Sequence, residues 1–384
     1  MPSVALALRQ HATEFLNRLA KANRGVAIRK AFAAIMRCRT GELGGVHWGC
    51  TKCERSHWVG RSCGNRHCPT CGHDKTQKWL EGQSKKLLVG VHHFLVTFTV
   101  PQELREVLRA NQRAGYEALF QASSQALMAV ASKTKSLQGS QLGFFGVLHT
   151  WGRDPAVYHP HVHYLVPGGG AELDSSGKVV AWKSTSINFL VNHQTLIRVY
   201  KAKLADALRA ANLYQKVSPS AWTKKFVVDI QGVDDGKSAV AYLAPYVHRV
   251  ALSDHRIKAV DATSVTYQYK PKKSQRVLSR TVSGEAFVKS FAQHILPTGF
   301  RKVRYYGWMA SNSKTKLEEL RMVVWFSVGW VYWLASGHAP QKPLKPMPKV
   351  CCRACGAPMR VLAISDQPIR PTLSTNSRAY LDSG

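Results

Sequence analysis

The sequence is poor in acidic residues. Its 384 residues include 22 Asp and Glu against 54 Lys and Arg, which gives a formal net charge of +32. A surplus of this size favours a polyanionic partner, and nucleic acid is the first candidate. The alternative interpretation is a solvated basic surface without a specific ligand.

Long apolar runs are also missing. The longest, from Met322 to Ala335, has 14 residues, whereas a membrane-spanning helix needs about 20. We therefore expect a buried helix or strand pair there. Residues 1–36 intersperse charges with apolar residues at helical spacing and lack the pattern of a secretory signal. These features predict a soluble, cytoplasmic protein.

Most of the nine cysteines stand in C-x-x-C pairs, which suits thiolate metal ligation in a reducing compartment. Cys50 and Cys53 are followed, after 14 residues, by Cys68 and Cys71. This spacing predicts one structural zinc site with these four thiolates as ligands. Three residues in the intervening loop could replace one of the four, namely Cys63, His57 and His67.

A further C-x-x-C pair, Cys352 and Cys355, lies near the C-terminal end. Two thiolates alone do not complete a zinc site, so a second metal there would need ligands from elsewhere in the chain. We expect residues 346–384 to hold this segment and a disordered tail.

The pattern predicts an α+β fold, with a mostly antiparallel central sheet flanked by helices. Strand-like runs rich in β-branched and aromatic residues alternate with helical ones, the longest of which covers residues 102–133. We divide the chain into a helical segment (1–44), a zinc-binding module (45–80), a catalytic domain (85–258) and a basic, aromatic region (259–345). The last of these suits single-stranded nucleic acid, although a solvated sheet edge is the alternative.

The stretch HPHVH places three histidines at alternating positions. In a strand, His161 and His163 point to the same side with Cα atoms about 6.5–7 Å apart, which suits one metal ion. A histidine pair on a wet strand face is the alternative. His149 on the preceding strand is the expected third ligand, with His248 in reserve, and His159 is expected to be a neighbour only.

Two classes of enzyme use such a strand: histidine-triad nucleotide hydrolases, and endonucleases that add a nucleophilic tyrosine on a helix. The segment AYLAPYVHR places Tyr242 and Tyr246 four residues apart, on one face of a helix. Taken alone, such a pair indicates core packing. Together with the histidines and the basic charge, it favours the endonuclease. Pro245 is expected to kink this helix and to separate the two phenols.

Five stretches, in chain order, resemble the rolling-circle transposases of the insertion sequence ninety-one family, which belong to the two-tyrosine HUH nucleases. They are SCGNRHCPTC, FTVPQELR, LHTWGRDPAVYHPHVHYLVPGGG, AYLAPYVHRVALSDHRI and LPTGFRKVRYYG.

The resemblance implies an HUH endonuclease domain in which His161 and His163 bind Mg²⁺ or Mn²⁺. It implies that Tyr242 and Tyr246 are the nucleophiles, and that the N-terminal cysteines bind Zn²⁺. The expected partners are single-stranded DNA at the ends of the element and the target DNA, at the bacterial nucleoid.

Two alternative functions remain open on the sequence alone. A replication initiator or relaxase would use the same chemistry, and a zinc-dependent DNA-binding protein would use none.

Overall fold

The computed structural model describes residues 2–19, 23–152, 154–248, 252–271, 276–329 and 350–370. The second part of the apolar run, from residue 330, and the expected disordered tail, from residue 371, lie outside these residues. Within these ranges, no helix has both the length and the apolar composition needed to cross a membrane.

The described residues form ten α-helices and thirteen strands. The helices are α1 (Val4–His11), α2 (Thr13–Arg18), α3 (Asn23–Arg37), α4 (His73–Ser84), α5 (Gln102–Ala110), α6 (Gln112–Ala131), α7 (His193–Ala210), α8 (Lys237–His248), α9 (Gly284–Ala292) and α10 (Leu317–Val328).

The strands are β1 (Gly45–Cys50), β2 (Ser56–Gly60), β3 (His93–Thr99), β4 (Gly143–Trp151), β5 (Tyr158–Pro167), β6 (Gly169–Leu173), β7 (Val179–Ser184), β8 (Val228–Gly232), β9 (Ile257–Val260), β10 (Ser264–Tyr269), β11 (Leu278–Ser283), β12 (Val303–Gly307) and β13 (Met359–Ser365).

The central sheet has five strands in the order β12-β4-β5-β3-β8, and every neighbouring pair is antiparallel. Smaller sheets have the orders β13-β1-β2 and β11-β10-β9, and β6 pairs with β7. The expected α+β fold with a mostly antiparallel sheet flanked by helices is confirmed. The expected helix over 102–133 is interrupted at Asn111, whose backbone leaves the helical region (φ −123°, ψ 52°), so α5 and α6 are separate helices.

The two faces of the central sheet have different partners. On one face, residues such as Phe144, Val162 and Phe98 pack with α5, α6 and α7 in the main apolar core. On the other face, Phe145 and Leu165 pack with α4 and α8. Because side chains alternate along a strand, this second face continues from those apolar residues to the histidines of β4 and β5.

The boundaries expected from the sequence do not follow the sheets. The basic region expected to begin at residue 259 supplies β12 to the central sheet, paired with β4 from Val303↔Val147 to Gly307↔Gly143. The C-terminal segment supplies β13, which pairs with β1 of the N-terminal module. Pairing between strands distant in sequence therefore joins segments that composition alone separates.

Candidate active site

Three buried histidines meet on the second face of the central sheet. His149 of β4 lies directly across from His161 of β5, and His163 follows two residues later on the same face. Their rings are 4.4–5.0 Å apart between centroids. One ligand atom from each lies within 4.8 Å of the other two. The strand register thus brings together the last two histidines of HPHVH and His149, the expected third ligand.

Hydrogen bonds orient two of these rings. His161 Nδ1 donates to the carbonyl oxygen of His159 at 2.7 Å, which leaves its Nε2 without a proton and able to bind a metal ion. His163 Nδ1 lies 2.8 Å from Oγ1 of Thr97 on β3. The remaining Nε2 atoms of His149 and His163 are buried without a hydrogen-bond partner. Because buried polar atoms are normally paired, these nitrogens fit a bound cation.

Burial keeps the three imidazoles neutral. It lowers the pKa of His149 and of His161 well below the ordinary value, and the neighbouring histidines add to the effect. For His163, burial and then His159 lower the pKa to about 4. A neutral imidazole retains the lone pair that metal ligation requires. Three such donors from one sheet face leave positions open for substrate oxygens.

Helix α8 carries both tyrosines against this cluster. The ring of Tyr246 stacks on His149 with centroids 4.0 Å apart and planes at 17°. The ring of Tyr242 meets His163 edge-on at 5.8 Å and is 46% exposed. The helix continues through Pro245, and the two tyrosine rings remain 5.3 Å apart. The expectation that Pro245 separates the phenols is therefore wrong.

The helix holds this position through its apolar face. Val240, Leu243 and Val247 pack on Phe145 and Val147 of β4. The backbone of His248 ends the helix, whereas its side chain and all of Arg249 lie outside the part of the chain that we describe. A role for His248 as reserve ligand stays a prediction.

A lysine that sequence analysis did not select also belongs to the site. The ammonium of Lys302 lies 4.9 Å from the ring centroid of Trp151, and its positive charge contributes to lowering the pKa of His149. Burial, followed by the charge of Arg66, lowers the pKa of Lys302 to about 7. Arg66 donates to the carbonyl oxygens of Phe300 and Pro297 at 2.6 and 2.8 Å, which joins the cysteine-rich module to this region.

The cysteines form two groups, and the expected grouping of Cys50 and Cys53 with Cys68 and Cys71 is wrong. The first group contains Cys38, Cys63, Cys68 and Cys71, and the second contains Cys50, Cys53, Cys352 and Cys355. In each group the sulfur atoms lie within 4.8 Å of one another. His57 and His67 belong to neither group.

Sequence spacing could not show this arrangement, because each set of four combines cysteines that are separated along the chain. The sequence pattern offers Cys63 only as a substitute ligand and gives Cys38 no role. The available signal was the number of cysteines: eight of the nine can be divided into two sets of four.

Two family models match parts of this chain. A family model described as "Putative transposase" matches residues 143–316, which include the histidines and α8. A second, described as "Transposase zinc-binding domain", matches residues 7–100. No solved structure matches.

Two relatives extend the comparison over most of the chain. The chain is 30% identical over 330 residues to "Putative transposase y4qJ" of Sinorhizobium fredii, which covers 79% of each chain. It is 28% identical over 300 residues to "Transposase for insertion sequence element IS801" of Pseudomonas savastanoi pv. phaseolicola, covering 72% of this chain and 69% of the relative.

These matches define a transposase with a zinc-binding domain. The chain belongs to the insertion sequence ninety-one family of transposases, whose rolling-circle mode of transposition is consistent with the histidine and tyrosine arrangement described above.

Proposed function

We propose that this transposase is a metal-dependent tyrosine nuclease and strand transferase that acts on single-stranded DNA. The observation that carries the proposal is the contact of two tyrosines on one helix with a three-histidine cluster. The ring centroid of Tyr246 lies 4.0 Å from that of His149, and the ring centroid of Tyr242 lies 5.8 Å from that of His163. A hydrolase of the histidine-triad type has no use for these phenols.

The three histidines would hold Mg²⁺ or Mn²⁺, which would polarise the scissile phosphate and favour charge build-up on its oxygens. Thr97 and the carbonyl of His159 keep the rings of His163 and His161 in place. In its protonated form, Lys302 would add positive charge next to His149, where an incoming phosphate would be attracted.

In the cleavage step, the phenol oxygen of one tyrosine attacks phosphorus while the bond from phosphorus to the 3′ oxygen breaks. The phenol proton passes to solvent and the departing 3′ oxygen takes up a proton, which leaves a 5′-phosphotyrosine and a free 3′-OH. A 3′-OH can reverse the step and reseal DNA, so no nucleotide cofactor is required. The second tyrosine would accept the next strand during transfer.

We further propose that Tyr242 attacks first. Its exposed ring is open to an incoming strand, whereas the ring of Tyr246 packs against the rings of both His149 and Trp151, with centroids 4.0 and 5.6 Å away. Since in-line attack requires access to the phosphate, the exposed phenol is better suited to the first strand.

The zinc-binding module (45–80) and the basic, aromatic region (259–345) would hold the element ends. Lys52 and Arg55 are exposed on this module and suit phosphate contacts. Arg61 and Arg66 are engaged within the protein, with Asp366 and with two carbonyl oxygens respectively. Because the substrate is DNA, we expect the protein to work at the nucleoid.

The test is a covalent-adduct assay. The protein is incubated with Mn²⁺ and a labelled single-stranded oligonucleotide that carries an element end, and SDS-stable adducts are measured. We expect an adduct with the native chain and with Tyr214→Phe, a control whose ring stacks on Trp222. The Tyr242→Phe, Tyr246→Phe double variant should form none. An adduct from that variant would overturn the nucleophile assignment.

The same assay separates the remaining alternatives. A non-catalytic DNA-binding protein would shift the oligonucleotide on a native gel without forming an adduct. A replication initiator or relaxase would form the adduct but would cleave origin sequences in preference to element ends. Full cleavage by His161→Ala, His163→Ala would show that the cation site is elsewhere.

A further inference from the structure

The second group of cysteines joins a segment near the N-terminal end of the described residues to one near their C-terminal end. Cys50 and Cys53 flank the turn after β1, and Cys352 and Cys355 lie just before β13. We propose that these four cysteines form a second tetrathiolate zinc site, which makes the C-terminal segment an integral part of the N-terminal module. The zinc-binding family model ends at residue 100 and so does not include Cys352 or Cys355.

The distances between sulfur atoms fit one shared ion. The Sγ atoms of Cys50 and Cys355 lie 3.5 Å apart, those of Cys53 and Cys352 lie 3.6 Å apart, and those of Cys53 and Cys355 lie 3.5 Å apart. With zinc–sulfur bonds of about 2.3 Å, the edge of a regular tetrahedron is about 3.8 Å. In the first group, Cys63 and Cys71 show a similar separation of 3.7 Å.

Backbone hydrogen bonds around Cys50 support a thiolate. The amide groups of Lys52 and Cys53 both donate to its sulfur at 3.4 Å, as expected for a turn that folds over a negatively charged ligand. On the other side, the amide of Cys352 donates to the carbonyl of Ala357 at 2.8 Å and that of Gly356 donates to Cys352. Each C-x-x-C pair thus lies in a tight turn that presents two sulfurs to the same point.

Strand pairing holds the two turns together. β13 pairs with β1 from Gly45↔Ser365 to Cys50↔Met359. Next to the cysteines, both the amide and the hydroxyl of Thr51 donate to the carbonyl of Pro358, at 3.2 and 2.9 Å. Cys50 and Cys352 are 7% and 2% exposed, so half of the ligand set is shielded from solvent. The sheet therefore preorganises two C-x-x-C pairs that are separated by about 300 residues in the chain.

Such a site closes most of the chain into a loop, with the catalytic sheet inside it. Because the metal binds only when both turns are in place, its binding free energy stabilises the docking of β13 on β1. The alternative is a pair of disulfides between the same cysteines, which would require sulfur atoms about 2.05 Å apart.

The first experiment uses the unmodified full chain. Purified protein is treated with iodoacetamide before and after a strong chelator, and alkylation of each cysteine is measured by mass spectrometry. Cys351 is exposed and belongs to neither group, so it serves as an internal control that should react at once. We expect Cys352 and Cys355 to react only after chelation, in parallel with zinc release. Reaction without chelator, or protection that only a reductant removes, would overturn the proposal.

The second experiment counts metal ions in variants of the full chain. Elemental analysis should find two zinc ions per chain in the native protein. The matched control, Cys351→Ser, should also hold two. The Cys352→Ser, Cys355→Ser variant should retain one, and it should become sensitive to proteolysis near residue 350. Two zinc ions in that variant, or one in the native chain, would contradict the second site. Alkylation of the native chain decides the question if the variant does not fold.

Discussion

The ring of Tyr246 lies almost parallel to that of His149, with centroids 4.0 Å apart, while Tyr242, one turn earlier on α8, meets His163 edge-on. Each tyrosine therefore contacts a different histidine of one cluster. The two phenols also differ in exposure, since Tyr242 is 46% exposed, whereas Tyr246 is half-buried and packs on an apolar cluster that includes Trp151 and Leu252. Chemically identical side chains at this site are thus structurally inequivalent.

This inequivalence predicts different defects for the single variants. With a substrate that carries one element end, Tyr242→Phe should lower adduct formation by at least about 10²-fold, because the proposed first nucleophile is lost. Tyr246→Phe should retain the first adduct and lose transfer to a second strand. Peptide mapping of the adduct identifies the attached tyrosine directly. An adduct located mainly on Tyr246 of the native chain would reverse the proposed order.

The contact of Thr97 with His163 predicts a positioning effect on the proposed cation site. Its hydroxyl lies 2.8 Å from Nδ1 of His163, and removal of such a partner typically lowers metal affinity or activity by about 10- to 100-fold. Thr97→Val should therefore raise the Mn²⁺ concentration that gives half-maximal cleavage, with a smaller loss at saturating Mn²⁺. Thr99→Val is the matched control, because this hydroxyl donates to the carbonyl of Val227 at 2.9 Å. Equal shifts in both variants would assign Thr97 a general structural role.

Much of the histidine and tyrosine arrangement could be predicted from the sequence because it depends on short-range rules. Alternation along a strand places His161 and His163 on one side, and a short connection makes β4 and β5 neighbours, which brings His149 opposite His161. Helical spacing likewise places Tyr242 and Tyr246 on one face. The expected separation of the two phenols by Pro245 is wrong: α8 packs along β4 on both sides of that residue, and the two rings stay 5.3 Å apart.

The cysteine grouping could not be predicted, because it depends on contacts between distant segments. Cys50 and Cys53 find partners only when β13 pairs with β1, a contact across more than 300 residues that no local pattern encodes. The position of Lys302 in the site could not be predicted from the sequence for a similar reason. It approaches Trp151 only because β12 pairs with β4.

Buried histidines predict loss of stability in acid. His93 is 1% exposed, and burial, as the largest cause, lowers its pKa to about 4. An unfolded histidine has a pKa of about 6.5, so the unfolded chain binds more protons between these pH values. The free energy of unfolding should therefore be fully retained above pH 6.5 and fall as the pH decreases towards 4. For His93 alone, the decrease is at most about 3 kcal/mol.

The measurement is urea unfolding at pH 7, 5.5 and 4.5. His93→Phe should show a shallower dependence on pH than the native chain, whatever its stability at pH 7. His255→Phe, at an exposed histidine, is the control and should retain the native slope. An unchanged slope in His93→Phe would contradict the contribution of His93 to acid sensitivity.

Two glycines predict opposite effects of the same substitution. On β4, a Cβ atom at Gly146 would overlap the ring of Tyr164, which is fully buried and fixed by a 2.7 Å hydrogen bond to Ser123. Gly146→Ala should therefore lower the free energy of unfolding by about 1–3 kcal/mol. In α4, a Cβ atom at Gly82 would meet open space, so Gly82→Ala should raise it by about 0.5–1 kcal/mol. Thermal unfolding of both variants checks the pair, and a melting temperature of Gly146→Ala at or above the native value would contradict the close packing of β4 against β5.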